Sequence, residues 1–303
     1  MTAVTGLSRI RLITACPDRL ALFYESAFGF ARTAPSAIDA PSLAKLLEKP
    51  GAAARALTLR LGEQEIELVG FHPIGRDVPF VDGWSPLFQH FAIVVADMAA
   101  AYTRLSSQTS WSAITIDGPQ MLPPASGGVN AFKFRDPEGH PLELLAFKPL
   151  STPTQWKHCS GTTALGIDHS AISVADTARS VAFYTRFGLN RSGGSFNVGP
   201  AQEKLDRISN AQVEVTALEP RQHPTPHLEL LCYRGNFDRD VQPLEVNDIA
   251  ATELVFATDG GALQSLTDES HHACLSGPAT GENERTSALF RDPDGHLFCV
   301  ESA

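Results

Sequence analysis

Two strings, FRDPEGHPLELLAF at 134–147 and FRDPDGHLFCVES at 290–302, lie 156 residues apart and constrain this chain more than any other feature. A second pair precedes them. GLSRIRLITACPDRLALFYESAFGF (6–30) is echoed by GIDHSAISVADTARSVAFYTRFGL (166–189), with Phe23-Tyr24 recurring at Phe183-Tyr184. The two halves are therefore duplicates, and any fold must be built twice from similar parts. Each half divides again. An alternating strand at Arg9–Thr14 is followed by a helix whose apolar residues Leu20, Phe23, Tyr24 and Ala27 recur at helical spacing. Strand-like runs then end in QEIELVGF (64–71). The second quarter restarts with QHFAIVVAD (89–97), continues through a helix from about Met98 to Leu105, and closes in strands at Leu145. The third opens at Asp168 and ends in HLELLCY (227–233); the fourth opens near Ala251 and ends at Glu301. Each quarter reads as strand, helix, then several strands.

This periodicity divides the chain into a first domain at 1–149, a linker at 150–165 and a second domain at 166–303. The modules fall at 6–72, 87–147, 166–234 and 248–302. The linker lies within Lys148–Gly166, a stretch without periodicity and rich in Ser, Thr, Pro and Gly. Phe71–Pro86 and Arg234–Asp248 join the quarters within each half, and the Gly-Pro clusters at 118–128 and 277–281 read as connectors, with a pocket rim as the alternative.

With 303 residues, each half is long enough to bury a core without disulfides. Lys and Arg number 24 against 34 Asp and Glu, a net charge of −10 that repels nucleic-acid phosphate and anionic lipid. The most apolar stretch, Phe91–Tyr102, is broken by Asp97 and too short to span a bilayer. Cys16, Cys159, Cys232, Cys274 and Cys299 form no C-x-x-C pair, and the opening residues carry no secretory signal. Reduced thiols in a cytoplasmic protein are the expectation, with neither nucleic acid nor membrane as partner.

Four strand–helix–strands modules with D-P-[DE]-G-H before the closing strand of each half resemble the vicinal oxygen chelate superfamily, which includes glyoxalase I, extradiol dioxygenases and bleomycin-resistance proteins. The resemblance covers nearly the whole chain and implies an α+β fold: four βαβββ modules paired into two curved mixed-sheet cups, with a metal on an inner face. It implies ligands from the first and last strands of each module. Those positions are His90 and Glu143 in the second module and His169 and Glu229 in the third. The first module has Arg9 and Glu67; the fourth has Thr252 and Cys299, with room for a one-residue slip at the former. Cups formed within the halves would split the set. A cup formed by modules two and three would unite His90, Glu143, His169 and Glu229, the pairing that fused four-module glyoxalases use, and would leave modules one and four without a metal.

Two imidazoles and two carboxylates suit one divalent ion such as Ni²⁺, Co²⁺, Zn²⁺, Mn²⁺ or Fe²⁺. Glu143 and Glu229 sit in the apolar runs LELLAF and LELLCY, where an unpartnered carboxylate is costly to bury. Glu67 is explained instead by an ion pair with Arg9, Cys299 as a small buried apolar residue, and His271-His272 as solvated surface. His140 and His296 are expected to serve the turns they follow. His227 beside Glu229 and Glu301 beside Cys299 share their faces, being two residues apart on a strand.

For function, the resemblance implies glyoxalase I-type proton transfer on a small carbonyl substrate with vicinal oxygens, Glu143 acting as base and Glu229 as second candidate. A ring-cleaving dioxygenase on Fe²⁺ or Mn²⁺ is the alternative, and a small-molecule binding protein of the resistance type the third. Four modules can complete two cups inside one chain, so monomer and homodimer both remain open.

Overall fold

The structure, a computed structural model, describes residues 3–33, 53–77, 80–157, 164–259, 261–280 and 285–302. Cys159 and part of the expected linker, 158–163, lie outside the described residues, as does position 281 of the second Gly-Pro cluster.

The opening strands of the four quarters become the centres of the sheets. They are β1 (Val4–Ile13), β5 (Gln89–Val95), β10 (Ala164–Ser173) and β14 (Thr252–Thr258). Each leads into a helix: α1 (Pro17–Phe28), α2 (Met98–Ser106), α3 (Thr177–Arg186) and α5 (Ala262–Glu269). Asp97 and Asp176 start α2 and α3 by accepting from the backbone N–H groups of Ala100 and Arg179, which have no partner inside the first helical turn. Three or four strands follow each helix. The first module adds β2 (Ala31–Arg32), β3 (Ala53–Leu61) and β4 (Gln64–His72), and the second β6 (Ser112–Ala113), β7 (Gln120–Met121), β8 (Asn130–Arg135) and β9 (Pro141–Ala146). The third adds β11 (Asn190–Val198), β12 (Gln212–Glu219) and β13 (His227–Tyr233), and the fourth β15 (Cys274–Thr280), β16 (Thr286–Arg291) and β17 (Leu297–Ser302). The third module departs from the expected order by a short helix, α4 (Pro200–Asp206), between β11 and β12. Its start is marked in the sequence by Gly199-Pro200, because proline fits the first turn of a helix.

The strands make two mixed sheets that cross the halves of the chain. One is eight-stranded, β15-β16-β17-β14-β1-β4-β3-β2; the other is nine-stranded, β11-β12-β13-β10-β5-β9-β8-β6 with β7 on β8. Their seams are the antiparallel pairs β1/β14 and β5/β10, so module one joins module four and module two joins module three. Within each module the first strand runs parallel to the last. Helices α1, α2, α3 and α5 pack on one face of each sheet over a continuous apolar cluster that includes Tyr24, Phe28, Phe91, Phe134, Tyr184, Phe256 and Phe298, whereas α4 lies on the cup face. The other face of each sheet is the cup.

The two halves are also stitched internally, and the repeated D-P-[DE]-G-H turn does the stitching. Asp136 accepts from the backbone N–H of Glu138, Gly139 and His140, and its second oxygen accepts from Tyr24 Oη at 2.9 Å. Asp292 repeats the arrangement with Asp294, His296 and Tyr184. Gly139 and Gly295 sit at φ of 106° and 102°, a region a side chain disfavours. His140 donates through Nδ1 to Asp136 at 2.8 Å and through Nε2 to the Ile13 carbonyl at 3.1 Å. His296 likewise reaches the Ser173 carbonyl at 2.8 Å. Both histidines thus serve the turn, as expected from sequence, and each also clamps the end of the preceding module's first strand.

Because Asp136 and Asp292 are buried, a lost phenol donor removes a hydrogen bond that water does not readily replace, although Asp136 Oδ2 keeps its bond from His140 Nδ1. Tyr24→Phe and Tyr184→Phe are each expected to cost about 1–3 kcal/mol in urea unfolding. Burial opposes the charge on His140 but Asp136 outweighs it, so its pKa is raised above 6.5. The stability lost in His140→Asn should therefore be full below about pH 6.5 and shrink as pH rises through the folded-state pKa, measured as unfolding free energy against pH.

Candidate metal centre

The β5/β10 seam decides where the four expected ligands fall. Across it Ala171 faces His90 and His169 faces Ala92; on either side Ala92 lies beside Glu143 and Ala171 beside Glu229. Two small alanines thus occupy the centre, with an imidazole and a carboxylate from each module around them. His90 Nε2 donates to Glu143 Oε2 at 2.9 Å. His169 Nε2 lies 3.8 Å from the same carboxylate oxygen and 3.6 Å from Glu229 Oε2, and makes no hydrogen bond. His227 Nε2 is 3.5 Å from the other oxygen of Glu229. The sequence-derived set His90, Glu143, His169 and Glu229 is brought together in one place.

Charge is distributed unequally between the histidines. Burial lowers the pKa of His90, and its bond to Glu143 only partly offsets this, so it is neutral at pH 7. Burial also opposes the charge on His169, but Glu229, Asp168 and Glu143 surround it and raise its pKa well above 6.5. Against the same cost of burial, His169, His90 and Lys133 hold Glu143 well below the usual carboxylate range. His169 and His227 bring Glu229 down to about 2. Without an ion, a proton on His169 balances the carboxylates.

The donor set fits a divalent cation. The ligand atoms of His90, Glu143 and His169 all lie within 4.8 Å of one another, and His169 Nε2 is a buried polar atom with no hydrogen-bond partner. Imidazole nitrogen and carboxylate oxygen together suit borderline divalent metals. Asp168, His169 and His227 form a second candidate group that shares His169 with the first.

A cavity of about 420 Å³ opens over these residues. Its apolar lining includes Leu122, Val129, Leu145 and Leu205, and Ser195, Asn197 and Gln202 add polar groups. The stretch 118–128 is therefore more than a connector, since Leu122 and Pro124–Gly127 line the cavity. Lys133 also faces it, and its ammonium is held at 2.7 Å by Asp206 at the end of α4. Asp206 accepts in addition from Gln202 Nε2 at 2.6 Å. Sequence reading missed Lys133, Gln202 and Asp206. The signal for Lys133 was a lysine in the otherwise apolar run AFKF, a buried cation that needs an anion.

The other cup has the same layout and a different filling. Register places Arg9 and Glu67 where His169 and Glu229 stand, and Glu253 and Cys299 where His90 and Glu143 stand. The fourth module's position is thus Glu253, not Thr252, because Arg11 pairs with Glu253 across the seam. Glu67 lies 3.4 Å from Arg9, as the expected ion pair, but its shorter bond is 2.7 Å to Arg11 Nε. Arg11 also donates to Glu253, and Arg9 to Glu301 at 2.6 Å. Cys299 is fully buried among apolar residues, and His271 and His272 are exposed. Among the described residues, no metal-binding group of His, Cys, Asp or Glu falls in this cup.

A family model described as Glyoxalase/Bleomycin resistance protein/Dioxygenase superfamily matches residues 6–144 and again 166–300. The chain belongs to that superfamily. The superfamily fold is seen in glyoxalase I from Zea mays, which aligns at a TM-score of 0.65 with 16% identity over 98% of this chain and 92% of that one. A putative dioxygenase from Bacillus subtilis subsp. subtilis str. 168 aligns at 0.63 with 12% identity over 100% of this chain and 86% of that one. A search of curated proteins finds no significant match. These likenesses establish the superfamily fold for both halves. Among the described residues, no helix is long and apolar enough to cross a membrane.

Two outcomes test the charge arrangement. A divalent ion must displace the proton from His169, so calorimetric titration with Zn²⁺ near pH 7 in buffers of different ionisation heat should show release of about one proton per ion. Arg11→Met would strand buried Glu253 in the other cup, leave Glu67 with only its 3.4 Å contact to Arg9, and should cost about 3–5 kcal/mol in denaturant unfolding.

Proposed function

We propose that the cup of modules two and three is the working site of a metal-dependent enzyme that moves a proton on a small carbonyl substrate with adjacent oxygens, as a glyoxalase I does. The observation that carries this reading is His169 Nε2, buried without a hydrogen-bond partner between the carboxylates of Glu143 and Glu229. His90, Glu143, His169 and Glu229 would hold the ion. When bound it supplies Lewis-acid polarisation of a substrate carbonyl.

The protein's own groups divide the remaining work. Glu143 is pinned by its bond to His90 and by Lys133 nearby, which favours a holding role. Glu229 has a side chain 21% exposed and only longer contacts to the two histidines, which leaves it freer to move. We therefore assign the proton transfer between adjacent carbons to Glu229 and place Glu143 second, reversing the order that the sequence resemblance implies. The cavity suits a small, partly apolar substrate. Lys133 is already neutralised by Asp206, so no free cation there selects for an anionic group.

One observation favours a second reading. Each of the two close ligand groups, His90/Glu143/His169 and Asp168/His169/His227, is two histidines and one carboxylate, a set that also serves non-haem Fe²⁺ oxygenases. Oxygen uptake with catechols after Fe²⁺ loading would select that reading, and its absence would reject it.

Elemental analysis should find about one metal per chain, lost in His90→Ala and His169→Ala and kept in Glu67→Gln. Protein that binds no metal would instead support small-molecule binding without catalysis. With 2-oxoaldehydes, offered with and without thiols, deuterium exchange of the carbon-bound proton should fall by about 10²–10⁴-fold in Glu229→Gln while the metal is retained. An unchanged rate in that variant, with loss in Glu143→Gln, would return the base to Glu143.

A further inference from the structure

The residue before His169 ought to point away from the cup, since successive side chains on a strand alternate faces. It does not. The register between β10 and β5 slips between Ile167 and His169, which inserts Asp168 as an extra residue and turns its carboxylate toward its neighbour. Asp168 Oδ2 accepts from His169 Nδ1 at 3.1 Å, and its other oxygen accepts from Trp156 Nε1 at 3.1 Å. All three residues are buried.

Trp156 belongs to the aperiodic stretch between the halves, in a short 3₁₀ turn at Thr154–Trp156. Its ring is seated against Gly166, where a Cβ would come within 2.7 Å of it. The indole is therefore held in place, and it has one donor, which it gives to Asp168. With Nδ1–H committed to Asp168, the proton that His169 gives up to an ion is the one on Nε2, the atom that faces Glu143 and Glu229.

The other cup supplies an internal comparison. The same slip occurs between Leu7 and Arg9, and the inserted residue there is Ser8, whose hydroxyl donates to the Val255 carbonyl at 2.8 Å. An arginine follows it in place of a histidine. The carboxylate stands on the bulge only where there is an imidazole to orient.

We propose that Asp168 and Trp156 are positioning residues of the metal centre: a linker indole fixes a bulge carboxylate, which fixes the ring of His169 so that Nε2 faces the ion. This rests on the metal-centre reading above. Partners of this kind raise ligand basicity as well as setting ring orientation, and their loss typically costs about 10–100-fold in metal affinity.

The test is Co²⁺ affinity of the full chain, read from its absorption spectrum, alongside the imidazole N–H resonances of the Zn²⁺-loaded protein. Asp168→Ala should weaken Co²⁺ binding by about 10–100-fold and abolish the slowly exchanging Nδ1–H signal of His169. Asp168→Asn keeps one acceptor oxygen, enough for His169 Nδ1 but not also for Trp156, and should restore part of the affinity and the signal. Trp156→Phe, which keeps the ring packing and removes the donor, should weaken binding by a smaller factor. Wild-type affinity and an intact Nδ1–H signal in Asp168→Ala would overturn the inference while leaving the metal centre standing. Failure of the wild type to bind Co²⁺ would overturn the metal centre itself, and this inference with it.

Discussion

The antiparallel pairing of β5 with β10 is the contact on which the rest depends. It joins the second quarter of the chain to the third and sets two alanines at the middle of an open sheet face. Imidazoles and carboxylates from both modules then converge around them. A shift of one residue in that register would turn one module's pair away from the other's, because side-chain direction alternates along a strand. The histidine clamps at the D-P-[DE]-G-H turns secure the ends of β1 and β10 from the neighbouring module. Each half is thus tied internally by its turn and externally by its sheet seam.

The two cups show two solutions to one electrostatic problem. Carboxylates on an apolar sheet face must be compensated. In one cup Arg9 and Arg11 lie among Glu67, Glu253 and Glu301 and fill the position with permanent cations. In the other, His169 stands where Arg9 does and Ala171 where Arg11 does, and the positive charge there is exchangeable: a proton on His169 or a metal ion. Exchangeable charge permits chemistry, whereas guanidinium groups close the site.

Much of this was legible in the sequence because the duplication is strong. Repeated D-P-[DE]-G-H strings and Phe-Tyr helices locate the modules, and glutamates in LELLAF and LELLCY advertise buried charge. The convergence of His90, Glu143, His169 and Glu229 was anticipated from a family pattern that periodicity alone could not supply. What was missed has physical reasons. Thr252 was chosen over Glu253 because a strand's register is set by its partner, here Arg11 on a strand more than 240 residues away. The helix α4 was absent from the reading because a seven-residue segment carries little periodicity, although Gly199-Pro200 announced it. Lys133 and Asp206 come from different halves, and no local pattern links them. Trp156 looked like part of a polar linker, since only the folded chain reveals what a lone tryptophan is packed against.

The paired bulges at Ser8 and Asp168 carry a lesson about how a duplicated fold ages. The backbone slip is common to both copies, though only one has a histidine beside it, so the irregularity belongs to the architecture and not to any one side chain. Side chains drift on such a template at little cost to the strand that bears them. A cup without a metal-binding group can therefore keep the shape of one that has it, and shape alone is a poor witness to activity in chains of this kind.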